Sequence, residues 1–183
     1  IMKTYVVSGL KLTALTLIFF GVIYPLLITG IARLTASNGG EGKTVLVDGK
    51  VVGFEVIGQS FVSDKYFNSR PSAVGYNAAA TGGSNKGPTN PNYLLQVEER
   101  IDGFLKQNPG VEKKDVTVDL ITASGGGLDP HISPDAARVQ IKRIARTRGL
   151  HEQQVRSLVD QHTEPPLFGL FGTACVNVLV LNI

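Results

Sequence analysis

The chain has 183 residues, of which 43% are hydrophobic and 18% charged, and its net charge is +3. A positive charge this small gives no argument for a nucleic-acid partner. Cys175 is the single cysteine, so no internal disulfide is possible, and no Cys/His spacing typical of a zinc site is present. We therefore predict no metal, no tightly bound cofactor, and stability that comes from packing.

An uncharged apolar segment near the beginning of the chain predicts a membrane crossing. Residues 12–32 carry no charge, and Lys11 and Arg33 bracket them. As a helix this segment is about 31 Å long, enough for the ~30 Å hydrocarbon core of a bilayer. A secretory signal is the alternative, but its apolar core is only about 7–15 residues long and ends in a small-x-small site. Residues 34–36 make a poor site of that kind.

Two features of this segment bear on a partner within the membrane. Pro25 breaks the helical hydrogen-bonding pattern, which a membrane helix tolerates when neighbouring protein satisfies the freed carbonyl. Gly9, Thr13 and Thr16 form a stripe of small residues on which another helix can pack. Ordinary lipid-facing composition explains the stripe equally well.

Charge on the two sides of the segment predicts its orientation. The tail, residues 1–11, contains Lys3 and Lys11 and no acidic residue, and short basic tails prefer the cytoplasm. A glycine-rich polar stretch then predicts a linker over residues 33–43. We expect residues 44–183 to form one mixed α/β extracytoplasmic domain, tethered by one N-terminal transmembrane helix over residues 12–32.

Within the domain, the first part of the chain predicts a hairpin and a long ordered loop. Residues 45–47 and 51–52 are apolar and flank Asp48-Gly49, a tight-turn pair. Residues 58–90 are rich in Gly, Asn, Ser and Pro without periodicity, but they include four aromatic residues. Because disordered segments are poor in aromatics, we expect this loop to pack on the domain.

The second half predicts helices and two strands. Asn90-Pro91 begins a helix and residues 108–110 end it. Strands are predicted at 116–122 and 176–181, and Ser133-Pro134 begins a helix that Gly149 closes. The residues predicted to face inward on the two longer helices are Leu94, Val97, Ile101, Phe104, Leu105, Ala137, Ile141, Ile144 and Ala145. Those predicted to face outward on the second are Arg138, Lys142, Arg143 and Arg146. A third, short helix carries Val155, Leu158, Val159 and His162.

Two groups of residues invite a catalytic or nucleotide-binding interpretation. Ser124, Asp129 and His131 are the residue types of a hydrolase, but Ser124 lacks the glycine-flanked elbow of such enzymes. Structural turns account for these residues better, so we predict no catalytic residue. The loop 81–90 is no phosphate-binding loop, because Pro88 stands where the essential lysine is needed. Backbone amides near Gly82, Gly83, Ser84 and Asn85 remain a candidate for binding a nucleotide's anionic phosphates, with a structural turn or a partner-docking loop as the alternative.

Several long motifs resemble one bacterial family. They are Gly58-Gln59-Ser60-Phe61, residues 66–73, Tyr76-Asn77, residues 82–91, residues 119–134, residues 148–150, residues 162–164 and residues 176–182. Together these look like the C subunit of the Kdp-type potassium-transporting ATPase. The match runs in order through nearly the whole chain. It weakens between Glu164 and Val176, where Pro165-Pro166 and residues 173–175 replace a usually more polar, charged run.

The resemblance implies an accessory, non-catalytic subunit of a high-affinity potassium-uptake pump in the bacterial inner membrane. Its implied partners are the channel-like A subunit, the ATP-hydrolysing B subunit and the small F peptide. The family's C subunit is described as a catalytic chaperone that raises the ATP affinity of the B subunit, so ATP is expected only within that complex. Two alternatives are a membrane-anchored extracytoplasmic hydrolase and a solute-binding module.

Overall fold

The computed structural model describes residues 2–183 and divides the chain into two units. The first unit extends to Lys43, and the second is Thr44–Ile183. The first unit is a single long apolar helix followed by a short 3-10 turn at Ser37–Gly40. The second unit contains helices and small sheets, which confirms the mixed helix-and-sheet class.

The apolar helix runs over Met2–Thr35 and is the one candidate membrane span in the described residues. It is longer than predicted and consists of α1 (Met2–Ile18), a π-helical turn (Phe19–Ile23) and α2 (Tyr24–Thr35). The wide turn precedes Pro25, and the Tyr24 amide reaches back five residues to the Phe19 carbonyl. A π-turn next to a proline is a common way to accommodate its ring and its missing N–H.

The second unit contains five helices of different length and five short strands. The strands are β1 (Thr44–Val47), β2 (Lys50–Phe54), β3 (His131–Ile132), β4 (Thr163–Glu164) and β5 (Cys175–Asn177). The helices are α3 (Pro91–Gln107), α5 (Pro134–Arg138), α6 (Ile141–Arg148), α7 (Glu152–Gln161) and α8 (Val178–Asn182), and a single helical turn, α4 (Val118–Ile121), follows α3.

The strands form two antiparallel sheets. β1 and β2 make the predicted hairpin, in which Asp48 and Gly49 both have positive φ, as a tight turn of this kind requires. The second sheet has the order β3-β5-β4, with β5 in the centre. Because β3 and β4 come from distant parts of the sequence, this sheet depends on tertiary contacts.

Three helix boundaries confirm the sequence predictions at the level of individual hydrogen bonds. The Asn90 side chain accepts a hydrogen bond from the Tyr93 amide, and the Ser133 hydroxyl accepts one from the Ala136 amide. Gly149 ends α6 in the left-handed conformation. Local capping chemistry fixes these ends, since each bond joins residues within one turn.

Both predicted strands of the second half are wrong in whole or in part. Residues 116–122 contain the turn α4, in which the adjacent Leu120 and Ile121 are both buried, a pattern that an alternating strand does not produce. The segment 176–181 begins as β5 but continues as α8, because the Asn177 side chain caps the Val180 amide. Adjacent apolar residues fit either structure, and the cap decides.

The predicted helix from Pro134 to Gly149 is interrupted, and one of its faces was assigned wrongly. It divides into α5 and α6 at Val139 and Gln140. Arg143, predicted to point outward, is only 2% exposed. Leu94 at the beginning of α3 was predicted to be inward-facing and is exposed.

The hydrophobic core lies among α3 to α8 and the three-stranded sheet. Its largest fully buried apolar side chains are Ile132, Ile141, Ile144, Val155, Val159, Val176 and Val178. Phe67 from the long loop joins the same cluster. The loop is therefore part of the core, as its aromatic content predicted.

Candidate functional site

A buried arginine holds the beginning of the long loop against the helices. The Arg143 guanidinium donates to the backbone carbonyls of Asp64 (2.6 Å) and Tyr66 (2.8 Å). It also donates to the side-chain oxygens of Asn108 and Asn68 at 2.8 Å each, and of Gln140 at 2.7 Å. These five bonds use every N–H of the side chain. Burial lowers the pKa of Arg143 to about 10, and the negative charge of Asp64 opposes that shift.

A second polar network fixes the same loop to the last helix. The Asn182 side chain accepts a hydrogen bond from the Phe67 amide at 2.7 Å and donates one to the Phe67 carbonyl at 3.0 Å. Further along, the Tyr76 hydroxyl donates to the Arg70 carbonyl at 2.6 Å, and burial raises the pKa of Tyr76. The polar groups of the loop backbone thus form hydrogen bonds with side chains from α6 and α8. These bonds take the place of the backbone–backbone hydrogen bonds that a sheet would provide.

The two glycine-rich loops pack backbone to backbone. The Gly82 amide donates to the Gly126 carbonyl at 3.0 Å. A Cβ on Gly83 would lie 2.8 Å from the Gly125 carbonyl oxygen, and a Cβ on Gly127 would lie 2.6 Å from Val74 Cγ2. Only glycine permits this approach. The anion-binding role of Gly82, Gly83, Ser84 and Asn85 stays a prediction. The Gly82 amide already donates to the neighbouring loop.

Of the three residues of the hydrolase alternative, Asp129 and His131 lie together, whereas Ser124 has other partners. Ser124 is 4% exposed, and its amide donates to the Pro71 carbonyl. Asp129 accepts from Arg70 at 2.9 Å and from the His131 amide at 3.0 Å. A serine nucleophile has to be reachable by substrate, and this one is buried beneath the loop packing.

A cleft of about 210 Å³ opens beside the three-stranded sheet. It is lined by Arg70, Asp119, Asp129, His131, Ile132, Ser133, Thr173, Ala174 and Cys175. The Asp119 carboxylate accepts from the Ser133 amide at 2.6 Å and so holds the start of α5. Burial raises the pKa of the Cys175 thiol, and the nearby charges of Glu164 and Asp129 raise it further. The cleft therefore holds its thiol in the protonated form at neutral pH.

The segment between β4 and β5 projects an apolar tip into solvent. The tip consists of Leu167, Phe168, Leu170 and Phe171, and the most exposed of them are Phe168 (84%) and Leu170 (81%). Leu167 and Phe171 pair backbone to backbone and close a tight turn. Four large apolar side chains displayed on one turn are typical of a contact site for another protein or a membrane.

The sequence analysis missed the tip and the polar networks. The tip has a sequence signal, since residues 165–174 contain no charge but do contain four large apolar side chains. The role of Arg143 has no such signal, because four of its five partners lie 35 to 79 positions away along the chain. The sequence analysis placed Arg143 on the solvent-facing side of the helix because its side chain is charged.

The fold and these contacts define a class of protein. Its members have one apolar helix of membrane-spanning length, followed by one folded unit whose long loop is held in place by hydrogen bonds to polar side chains. The family model described as "KdpC: K+-transporting ATPase, c chain" matches residues 6–183. The chain belongs to this family, which confirms the predicted resemblance, and it is a subunit of a potassium-transporting ATPase. The apolar helix fits a membrane-anchored protein.

Individual relatives agree over nearly their whole length. The chain is 50% identical over 184 residues to the "Potassium-transporting ATPase KdpC subunit" of Bacteroides thetaiotaomicron, covering 100% of this chain and 97% of that protein. It is 54% identical over 176 residues to the protein of the same name in Flavobacterium johnsoniae, covering 96% and 94%. It is 50% identical over 173 residues to that of Cereibacter sphaeroides, covering 94% and 91%.

Proposed function

We propose that this chain is a non-catalytic accessory subunit that supports assembly of an ATP-driven potassium-uptake pump through its anchor helix and its apolar tip. Its partners in this proposal are the A, B and F subunits of the Kdp complex in the inner membrane. The observation that carries the proposal is the exposed apolar tip, residues 167–171, on a unit whose long loop is held to the helices at Asp64 and Phe67. An accessory subunit needs such a surface, because it acts through contacts with larger subunits.

The orientation follows from the charge of the tail. Residues 1–11 stay in the cytoplasm, residues 12–32 cross the membrane, residues 33–43 form the linker, and residues 44–183 lie outside the cytoplasm. An amine reagent that cannot cross membranes tests this arrangement on intact cells. Lys50 should be modified and Lys11 should be protected. Modification of Lys11 but not of Lys50 would show that the chain has the opposite orientation.

The effect on ATP is then indirect. ATP is available in the cytoplasm, so an external unit raises the ATP affinity of the B subunit only by favouring one conformation of the pump over another. Such coupling requires that the chain contact two pump states differently. The catalytic-chaperone role is thus a shift of the pump's conformational equilibrium.

Substitutions in the tip test the proposal directly. Phe168→Ser with Leu170→Ser removes its two most exposed side chains, and Val62→Ser is the matched control because Val62 is an equally exposed apolar residue in the same unit. After purification in mild detergent, the tip variant should retain less of the larger subunits and require more ATP for half-maximal hydrolysis. Unchanged retention and ATP dependence, or the same loss for Val62→Ser, would contradict the proposal.

Direct contact with nucleotide is the second possibility, carried by the loop at residues 82–85. It requires that the chain, alone or with the B subunit, bind ATP through backbone amides. Ser84→Pro removes one amide donor without adding charge. ATP binding that this variant abolishes, in a complex that still assembles, would favour direct contact over the indirect mechanism.

A further inference from the structure

The three-stranded sheet gathers three metal-binding side chains that are far apart in the sequence. Glu164 on β4 lies directly opposite Cys175 on β5, and His131 on β3 lies opposite Asn177. Side chains two residues apart on a strand share a face, so Cys175 and Asn177 point the same way. His131, Glu164 and Cys175 therefore meet on one face, with potential ligand atoms all within 4.8 Å of one another.

We propose that His131, Glu164 and Cys175 form a binding site for a late divalent transition-metal ion, with Zn²⁺ the best fit. Thiolate, imidazole and carboxylate are the side-chain ligands that Zn²⁺ takes in proteins, usually in tetrahedral geometry. Ligand atoms of such a site lie roughly 3.3–3.7 Å apart, so atoms that are within 4.8 Å of one another have to approach by no more than about 1.5 Å. Glu164 is exposed, which leaves it free to rotate toward the other two ligands.

The surroundings of the histidine support this assignment. Its Nδ1 lies 3.6 Å from Asp129 Oδ1, a distance that a small rotation of the ring would reduce to a hydrogen bond. In that arrangement Nε2 is the nitrogen left for the metal ion. Asp129 is itself held by Arg70 at 2.9 Å and by the His131 amide. A carboxylate behind a histidine is the usual arrangement at a metal site, because it fixes the orientation of the ring.

Space and charge are also suitable. The cleft of about 210 Å³ adjoins both His131 and Cys175 and leaves a fourth position open to water. Glu164 and Asp129 supply negative charge, of which Arg70 offsets one unit. Binding converts the Cys175 thiol to a thiolate, forms the metal–sulfur bond and releases the thiol proton to solvent.

The site has a structural consequence for the apolar tip. Glu164 and Cys175 are the residues immediately before and after the segment 165–174 that carries it. An ion bound to both Glu164 and Cys175 would hold the two ends of that segment together more strongly than the short β4–β5 pairing does. This proposal does not rest on the proposed function, and either is able to fail without the other.

Binding to the full-length chain in detergent tests the proposal. Zn²⁺ should bind at one ion per chain, and Co²⁺ as a substitute should give the near-ultraviolet thiolate-to-metal absorption of a Co–S bond. Because Cys175 is the single thiol, saturating Zn²⁺ should also slow its alkylation at least about tenfold. No thiolate absorption, or alkylation that Zn²⁺ leaves unchanged, would overturn the proposal without any variant.

Variants separate a built site from surface binding. Cys175→Ser and His131→Asn should each weaken Zn²⁺ binding at least about tenfold, the range that perturbed metal sites show. Two controls are matched to them: His151→Asn, which keeps a capping side chain at the start of α7, and Glu152→Gln. If the controls weaken binding as much as His131→Asn does, the ion binds nonspecifically and the site does not exist.

Discussion

Replacing Arg143 by alanine removes the donor of five hydrogen bonds at once. The carbonyls of Asp64 and Tyr66 belong to exposed residues, so water is able to replace the lost donor there. The side chains of Asn108 (2% exposed) and Gln140 (0% exposed) are buried and are not able to turn toward water. Each buried acceptor left without a donor costs about 1–3 kcal/mol, and the missing side chain leaves a cavity.

One contribution opposes that loss. Burial lowers the pKa of Arg143 to about 10 because the charged guanidinium loses its hydration in the folded state. Alanine removes this desolvation cost. We expect a net destabilisation of about 3 kcal/mol, since the cavity and the buried side-chain acceptors of Asn108 and Gln140 together outweigh the desolvation. For a unit of this size the melting temperature should fall by about 10 °C.

The assay follows the unfolding of the Thr44–Ile183 unit in the full chain through near-ultraviolet circular dichroism of its tyrosines. Arg143→Lys keeps a charge and three donors but loses the planar fork, so it should fall between wild type and alanine. Arg146→Ala, an exposed residue on the same helix, should stay within about 0.5 kcal/mol. A loss below about 1 kcal/mol for Arg143→Ala, or an equal loss for Arg146→Ala, would refute the reasoning.

Three further predictions concern the loops, the thiol and a helix cap. Gly127→Ala should destabilise by about 2–4 kcal/mol in chemical denaturation, because φ is +72° and the new Cβ meets Val74, whereas Gly126→Ala has open space and should be nearly neutral. Alkylation of Cys175 should reach half its maximal rate at a pH above the ordinary thiol pKa, since its raised pKa keeps it protonated, and Glu164→Gln should move that midpoint down. A midpoint that Glu164→Gln leaves in place would exclude the charge as a cause. Asn90→Ala should cost about 1 kcal/mol in the same denaturation measurement through the lost cap of α3.

Local interactions explain which parts of the fold could be predicted. The hairpin turn at Asp48-Gly49, the cap at Ser133 and the stop at Gly149 are each decided within about four residues, and all three are confirmed. The apolar helix is determined in the same way, by a run of side chains that needs no distant partner. The family could also be predicted from the sequence, because its motifs are runs of consecutive residues.

One error was a local cap that the sequence analysis missed, and another concerned a residue whose environment comes from elsewhere in the chain. Residues 176–181 are apolar enough for a strand throughout, and only the cap at Asn177 turns their second half into a helix. Arg143 carries a charge that predicts exposure, yet carbonyls and amides from 35 to 79 positions away surround it. A helical pattern contains no information about those acceptors.

The sequence by itself thus determined the apolar helix, the hairpin turn, the helix caps at Asn90 and Ser133, the helix stop at Gly149 and the family. Only the tertiary structure decided which polar side chains are buried and which distant ones meet, as His131, Glu164 and Cys175 do across the three strands. The physical reason is that capping and hydrophobic length act over a few residues. Burial of a polar group, by contrast, is stable only when donors and acceptors from other elements are brought to it.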